Sequence, residues 1–503
     1  MSHHDTRSAD TQTHQPLFEY RGVPTIPEGE RTYTPWTFFV MLQGAGVALG
    51  SIGFGWLPVA LGLGALGALS AIAAGTIAGL LPLALPILIG SKTATNNSTA
   101  SGAHFGVRGR LIGTTLGLIL MPTSTAIGIW ASGGVFVAAA ARLFHTPSGD
   151  GALATGYLLL TGLSVVIAVY GVHLLMRVTR WLMVGGGLVA LLMLVAFAGR
   201  INLGYKGGQY ALGSPGSTWL LAALATGVGG VMFIVTIVGD STRYISDRRY
   251  PPRRLLPVAL LGVAVSYIVP MGIGAVVTTA FADPFASWPQ SLVTASPVWY
   301  VWFLLPMALF GGLGWSAWTI YSCGLDLDAM IARHRGAVRP GGDRETLRAR
   351  TTTIMGVASL ALVLLGSLVW DASESMTAAS LVLLAVSAPW AAVVGVGYLR
   401  CRGEYLPQDL QVWISGGRGG AYWYTGGWSL PAVIAWAAGS VFGVLAVYTT
   451  LYVGPWAGIA KGVDVSFVGS FIIAAVIYLA LESLPLFGAR AALSPSTAEE
   501  AKV

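Results

Sequence analysis

The feature that most restricts this chain is the repeated return of apolar stretches long enough to cross a bilayer. A helix needs roughly 20 apolar residues to span the hydrocarbon core. The sequence supplies such stretches near 35–57, 58–89, 108–143, 153–173, 179–199 and 217–239, then near 254–282, 298–323, 351–370, 377–398, 429–453 and 464–485. Backbone polar groups in lipid must be satisfied within the segment itself, so these stretches are helices. The expectation is an all-α integral membrane protein with about 12 transmembrane helices. Composition agrees: of 503 residues, 54% are hydrophobic and 10% charged, against roughly 25% charged in soluble domains. The second and third stretches exceed one crossing, which predicts tilt, a kink or an added amphipathic piece. Pro122 places that kink in the third.

Basic residues give the orientation. With a cytosolic N-terminus and twelve crossings, 24 of the 28 Lys and Arg fall on inner segments, most densely at 243–254 and 333–350. Only Arg142, Arg200, Lys206 and Lys461 fall outside. Such a bias is the positive-inside pattern. It predicts a multi-pass protein of the cell (cytoplasmic) membrane with both termini in the cytosol and the lipid bilayer as its surroundings. The net charge of +7 is explained by this bias and not by a nucleic-acid surface, since no separate basic domain exists. Cys323 and Cys401 both lie on the cytosolic side, where a disulfide is not expected. The first thirty residues carry no apolar h-region and read as a polar tail, not a cleaved signal. His3 and His4 in that tail have no further ligand at a zinc-like spacing.

Inside the spans, charge is scarce. Asp240 and Glu482 lie near cytoplasmic ends and Asp371 at an outer end. No carboxylate falls at mid-membrane, so a central proton relay is not visible. His173, at the inner end of span four, reads as an interfacial anchor. Asp326 and Asp328 do not share a helical face, and they read as the beginning of a solvated loop. They are not read as the metal-holding carboxylates a membrane-embedded transferase would need. No G-x-x-x-x-G-K-[ST] phosphate loop is present, so the chain itself does not hydrolyse ATP.

Glycine is more informative. Span one carries Gln43-Gly44-Ala45-Gly46, then Gly50, Gly53 and Gly55; span six carries Gly227, Gly229 and Gly230. Each Gly weakens a helix by about 1 kcal/mol relative to Ala. Two interrupted spans five helices apart are the signature of an inverted repeat, because an odd number of crossings makes the second unit enter from the opposite side. Tight helix packing is the alternative use of the same glycines. In span eight, Gly311-Gly312-Leu313-Gly314-Trp315-Ser316-Ala317-Trp318-Thr319 mixes small residues, indoles and hydroxyls. That pattern suits a flat polar ligand stacked on aromatics, or else places the Trp side chains toward lipid.

Four stretches in order resemble the nucleobase–cation symporter (purine–cytosine permease-like) family. They are FEYRGVPTIPEGERTYTPW (18–36), HFGVRGR (104–110), GDSTRYISDRR (239–249) and YSCGLDLDAM (321–330), with a weaker echo in PWAAVVGVGYLRCRG (389–403). The likeness runs over roughly residues 18–485. It implies a LeuT-like five-plus-five fold with two added helices. The first repeat would cover 34–200, the second 217–398 and helices 11 and 12 the stretch 429–485, between cytoplasmic tails 1–33 and 486–503. It also implies a mid-membrane site among spans one, three, six and eight, uptake driven by sodium or protons, and gating near Asp240 and Arg243. The chain departs from the family at that site. Where the family stacks its base on tryptophans, this chain has Met121–Thr123 in span three and Val231–Ile234 in span six, with Phe233 the only aromatic. Gly46 stands for an amide, Ala317 for an asparagine, and Gly311 and Gly312 for hydroxyls assigned to sodium. Each lost polar partner costs a ligand roughly 1–3 kcal/mol, so the substrate differs from ordinary cytosine or adenine.

The expected function is cation-coupled import of a small heterocyclic solute of nucleobase, hydantoin, allantoin or vitamin type by alternating access. Spans one, two, six and seven would rock against three, four, eight and nine. Expected substrate contacts are Gln43, Gly46, Thr123, Thr125, Gly230, Phe233, Trp315 and Trp318; expected cation ligands are Ser316 and Thr319. Neither an enzymatic cofactor nor a protein partner is expected. A non-coupled facilitator, a transporter-like sensor and a membrane-embedded transferase are the alternatives.

Overall fold

The computed structural model describes residues 24–331, 342–370, 372–449, 452–459 and 464–484. His3, His4, Asp371, Arg333, Arg335, Arg339, Lys461, the side chain of His173 and the tail 486–503 lie outside the described residues.

The first crossing begins at α1 (Pro35–Gly46). Thr34 caps it by accepting from the Thr37 N–H, and Pro35 fills the first turn, where no N–H is needed. The helix stops after Gly44-Ala45-Gly46, and Ala48 is extended (φ −99°, ψ 148°). The chain resumes as α2 (Leu49–Phe54) and α3 (Leu57–Ala60), bent by 66° from α1. The second crossing, α4 (Ala65–Thr93), is followed by two short turns, α5 (Asn97–Ala100) and α6 (Gly102–Phe105). The third is α7 (Leu111–Phe144), 34 residues assigned as one helix across Pro122. α8 (Asp150–Tyr170) and α9 (Val172–Phe197) complete the first half.

The sixth crossing is broken more thoroughly. It runs as α10 (Pro215–Ala222), a wide π-type turn over Ala223–Val228, α11 (Gly229–Met232), an irregular stretch and α12 (Val238–Thr242). α13 (Pro252–Thr278) and the short α14 (Trp288–Ala295) follow. The eighth crossing joins α15 (Val298–Pro306) through a second π turn, Met307–Gly311, to α16 (Gly312–Ile331). Pro306 has no N–H to give the turn before it, and a widened turn next to it accommodates that loss. Then come α17 (Gly342–Leu368), α18 (Ala372–Arg400), α19 (Pro407–Gln411), α20 (Leu430–Ala446) and α21 (Ser466–Ser483).

Among the described residues nine helices are long and apolar enough to cross a membrane, ten with the bent pair α1–α3. The two other expected crossings correspond to the broken stretch 215–242 and to the shorter apolar α20. Two packed groups hold the middle of the molecule. One joins α1, α4, the sixth crossing and α13; the other joins α7, α8, α16 and α17; α18, α20 and α21 pack together beside them. Trp181, Leu188, Leu191 and Val195 of α9 are exposed, as befits side chains that meet lipid.

The glycines serve both uses left open by the sequence. Span one does break beside them. Most, however, sit where another backbone leaves no room for a Cβ: Gly44 against the Thr179 carbonyl, Gly55 against that of Met271, Gly227 against Gly75 and Thr76. Close approach of this kind replaces the hydrophobic driving force that lipid removes.

One expectation is overturned. Asp326 does not begin a solvated loop: α16 continues to Ile331, and Asp326 is only 1% exposed within it. The spacing argument failed because a single carboxylate can be buried without its neighbour two residues on.

Candidate functional site

A small cavity of about 30 Å³, with room for about two waters, lies between the two breaks, lined by Gly50, Ser51, Phe54, Ser124, Ile127, Gly128, Gly230, Phe233, Tyr267, Met271 and Trp315. Small-ligand pockets measure about 300–1,000 Å³, so a ligand enters here only if the surrounding walls move apart. Each break supplies part of the wall: α2 brings Gly50, Ser51 and Phe54, and the end of α11 brings Gly230 and Phe233. α7 contributes one face, Ser124, Ile127 and Gly128, at the i, i+3, i+4 spacing of a helix. α13 adds Tyr267 and Met271. Trp315, on the first turn of α16, is held by its indole N–H donating to Ser124 Oγ at 3.0 Å. Tyr267 meets it edge-on at 6.2 Å.

Three residues singled out in the sequence line this cavity: Gly230, Phe233 and Trp315. The others lie elsewhere. The Gln43 amide donates to the Gly262 carbonyl at 2.9 Å and joins α1 to α13. Gly46 packs against the Ser266 backbone, 2.6 Å from where its Cβ would stand. Thr123 faces a second, larger cavity of about 180 Å³ between α7, α17 and α18, with Trp130 and Trp370. Trp318 stands behind Trp315, ring centroids 5.8 Å apart. Ser124 was missed for a plain reason. Thr123 and Thr125 flank it by about 100° on either side, and the hydroxyl that faces the ligand space is the one between them.

Thr125 and Thr319 share a hydrogen bond of 2.6 Å, and Thr319 also donates to the carbonyls of Trp315 and Ser316 at 3.0 Å each. Ser316 Oγ and Ser132 Oγ are buried without a partner. Ser132 lies where a Cβ on Gly312 would stand, 2.6 Å away, and the Gly44 carbonyl oxygen lies 3.1 Å from the corresponding point on Gly314. Hydroxyls of α7 (Thr125, Ser132) and α16 (Ser316, Thr319) therefore line the contact of these two helices, while the Gly44 carbonyl meets another side of α16.

The α12 end of the sixth crossing is dense with charge. Asp240 is 2% exposed and accepts from the Asn97 N–H at 3.2 Å. Arg243 is fully buried, lies 5.1 Å over the Tyr244 ring and donates to the hydroxyls of Tyr244 and Tyr321, each at 3.3 Å. Its carbonyl accepts from Arg31 Nε at 3.2 Å. Arg31 also bonds the carbonyls of Ile245 (2.6 Å) and Ser91 and the carboxylates of Glu28 (3.0 Å) and Asp247 (3.3 Å). The segment before span one is thus fastened to the C-terminal end of α4 and to the chain just after α12. In the connection that follows span two, burial pushes His104 down to about 4; its Nε2 lies 3.1 Å from the Tyr405 hydroxyl.

The family model described as "Permease for cytosine/purines, uracil, thiamine, allantoin" matches residues 25–470. The chain belongs to this family. A Bacillus subtilis (strain 168) protein named as a purine-cytosine permease, YxlA, is 22% identical over 473 residues, 92% of this chain and 95% of that one. Among solved structures, Mhp1, described as a nucleobase-cation-symport-1 family transporter in a closed conformation with bromovinylhydantoin bound, superposes with a TM-score of 0.70 at 16% identity. It covers 97% of this chain and 100% of Mhp1. A Na+-coupled sialic acid symporter in a substrate-bound outward-open state gives 0.59 at 13% identity, covering 91% of each chain. These likenesses establish the transporter fold of this permease, a multi-pass membrane protein.

Proposed function

We propose that this permease is a secondary active symporter that carries a small, flat heterocycle across the cell membrane together with a cation. The observation that carries the reading is the cavity between the two broken crossings, walled by Phe233, Trp315 and Tyr267 and bearing few polar groups. Aromatic faces bind a planar ring by stacking, while Ser51 and Ser124 offer hydroxyls to its edge. Gly230 leaves the floor open, since a Cβ there would stand 2.8 Å from the Met271 methyl. Trp318 backs Trp315; Gln43 and Gly46 hold span one in place. Relatives named for cytosine, purines, uracil, thiamine, allantoin and a hydantoin support the heterocycle class.

Ser316 and Thr319, with Thr125 across the contact of α7 and α16, offer hydroxyl and carbonyl oxygens to a sodium ion; Ser132, about two turns from Thr125 along α7, stands too far off to share it. Repeats over 34–200 and 217–398, with 429–485 added, would give the alternating motion its two halves. Asp240 and Arg243 would close the inner side, with both termini in the cytosol. Proteoliposomes given an inward sodium or proton gradient should accumulate at least one heterocycle from a panel of nucleobases, hydantoins, allantoin and thiamine. The reading is lost if no compound accumulates while the same protein binds one of them. Binding without flux would make the chain a sensor.

A further inference from the structure

Asp326 takes no part in the cavity, yet it is among the most deeply buried charged groups described, at 1% exposure. Its Oδ1 accepts from Asn96 Nδ2 at 2.9 Å. The next residue, Asn97, gives its backbone N–H to Asp240 Oδ1. Two adjacent asparagines between α4 and α5 thus hold two carboxyls, one from the sixth crossing and one from the eighth. The two carboxyls act electrostatically on one another, with Arg243 beside Asp240 and Arg110 beside Asp326.

Around the remaining oxygens stand the hydroxyls of Ser322, beside Asp240, and Ser98, beside Asp326, neither in hydrogen-bond geometry. Asp240 Oδ2, Asp326 Oδ2, Asn96 Oδ1 and Asn97 Oδ1 are all buried without a hydrogen-bond partner. So is Thr236 Oγ1, which converges with Asp326 Oδ2 on the space left by Gly117. A Cβ on that glycine would stand 2.5 Å from the carboxyl oxygen and 3.4 Å from the hydroxyl. Each buried acceptor left unpaired costs about 1–3 kcal/mol. Two carboxylates in one dry space repel as well. The guanidiniums have other contacts: Arg110 donates to Thr99 Oγ1 at 2.7 Å and lies 5.0 Å over the Trp413 ring, and Arg243 holds the two tyrosines. Cys323 stands beside both carboxyls, its thiol donating to the Gly117 carbonyl at 3.5 Å, and Arg348 lies 5.1 Å over the Tyr321 ring.

We propose that Asp240 and Asp326 form a proton-binding site shared by the sixth and eighth crossings. One proton on either Oδ2 turns a surplus acceptor into a donor and removes the repulsion between the carboxyls. The other carboxyl stays ionised beside its arginine. A metal cation fits less well: each carboxyl already turns one oxygen to an N–H donor, and two guanidiniums flank the space. Because the ligands come from α12, α16 and the connection between α4 and α5, separation of these elements would admit water and release the proton inward. That last role rests on the transport reading above; the site itself does not.

The test is infrared spectroscopy of the purified full chain in lipid nanodiscs. The carbonyl stretch of a protonated, hydrogen-exchange-sensitive carboxyl is expected at neutral pH in the wild type. It should disappear in D326N or D240N and move in D326E. A folded protein that holds this proton while its unfolded chain does not must lose stability as pH rises. Wild-type Tm should therefore fall by several degrees between pH 5 and pH 9, in sodium and choline buffers alike, and D326N should respond less. No such band in the wild type overturns the proposal, whether or not the variants fold. So does a band unchanged in both asparagine variants. Tm raised by sodium at high pH in the wild type but not in the variants would make it a metal-cation site instead. A band lost with D326N in protein that carries no heterocycle would keep this site and remove the transport reading.

Discussion

The central cavity and the buried polar cluster are built on opposite principles. The cavity has aromatic rings, glycines and a few hydroxyls but no charged side chain. At the α12 end, Asp240, Arg243, Asp326 and Arg110 are buried together with Asn96 and Asn97. A ligand in the first region is sorted by shape and stacking, at a modest cost for each contact. In the second, each group is held by its neighbours, and removing one leaves another uncompensated. Perturbations of the cluster should therefore act on stability, and those of the cavity on affinity as well.

The sharpest break of this contrast is Arg243→Ala, which strips Asp240 of its flanking charge and two tyrosines of their donor. Loss of one member of a buried charged group costs about 3–5 kcal/mol, so purified protein should melt many degrees lower or fail to accumulate. A melting point within two degrees of wild type would contradict the contrast. His104 tests the same region by pH. Its folded form stays neutral down to about 4, whereas the unfolded histidine takes a proton below about 6.5. Stability should decline as pH falls through this window, by at most about 3 kcal/mol, and His104→Gln should flatten the decline in a thermal melt series.

In the cavity, Trp315→Ala should weaken binding of a transported heterocycle about 10- to 100-fold, equivalent to ~1–3 kcal/mol, and, since this side chain is buried, should also lower Tm. Titration calorimetry would show the weaker binding, and unchanged affinity would remove Trp315 from the ligand. The smallest effect is also the most discriminating. Ser124→Ala should cost about 3- to 10-fold in affinity, a hydrogen bond of ~0.5–1.5 kcal/mol, and Thr123→Val nothing measurable. The reverse order would move the ligand to the neighbouring cavity lined by Thr123 and Trp130.

The crossings were legible because length and apolarity are local properties, and the break in span one announced itself in Gly44-Ala45-Gly46. Gly230, Phe233 and Trp315 were legible as residues beside the breaks, where they line the cavity, for a similar reason: unusual residues at a break. Ser124 needed the rotation of α7 about its axis, which a helix apolar on most sides does not reveal. Tyr267 and Met271 come from α13, a crossing with no unusual residue to draw attention. Asp326 needed knowledge of how far α16 extends and of what lay opposite Gly117, both tertiary facts. Its partner Asn96 lies 230 positions away in the chain.

The glycine seams have a further consequence for how such a protein can diversify. Where Gly75 meets Gly227 or Gly55 meets Met271, even one methyl would collide with main chain, so these positions are frozen whatever the cargo. Phe233, Trp315 and Tyr267 carry no such burden, for they meet the cavity, and Trp315 and Tyr267 each other, through side chains. Substrate preference can drift at those three positions over evolutionary time while the scaffold that carries them stays fixed.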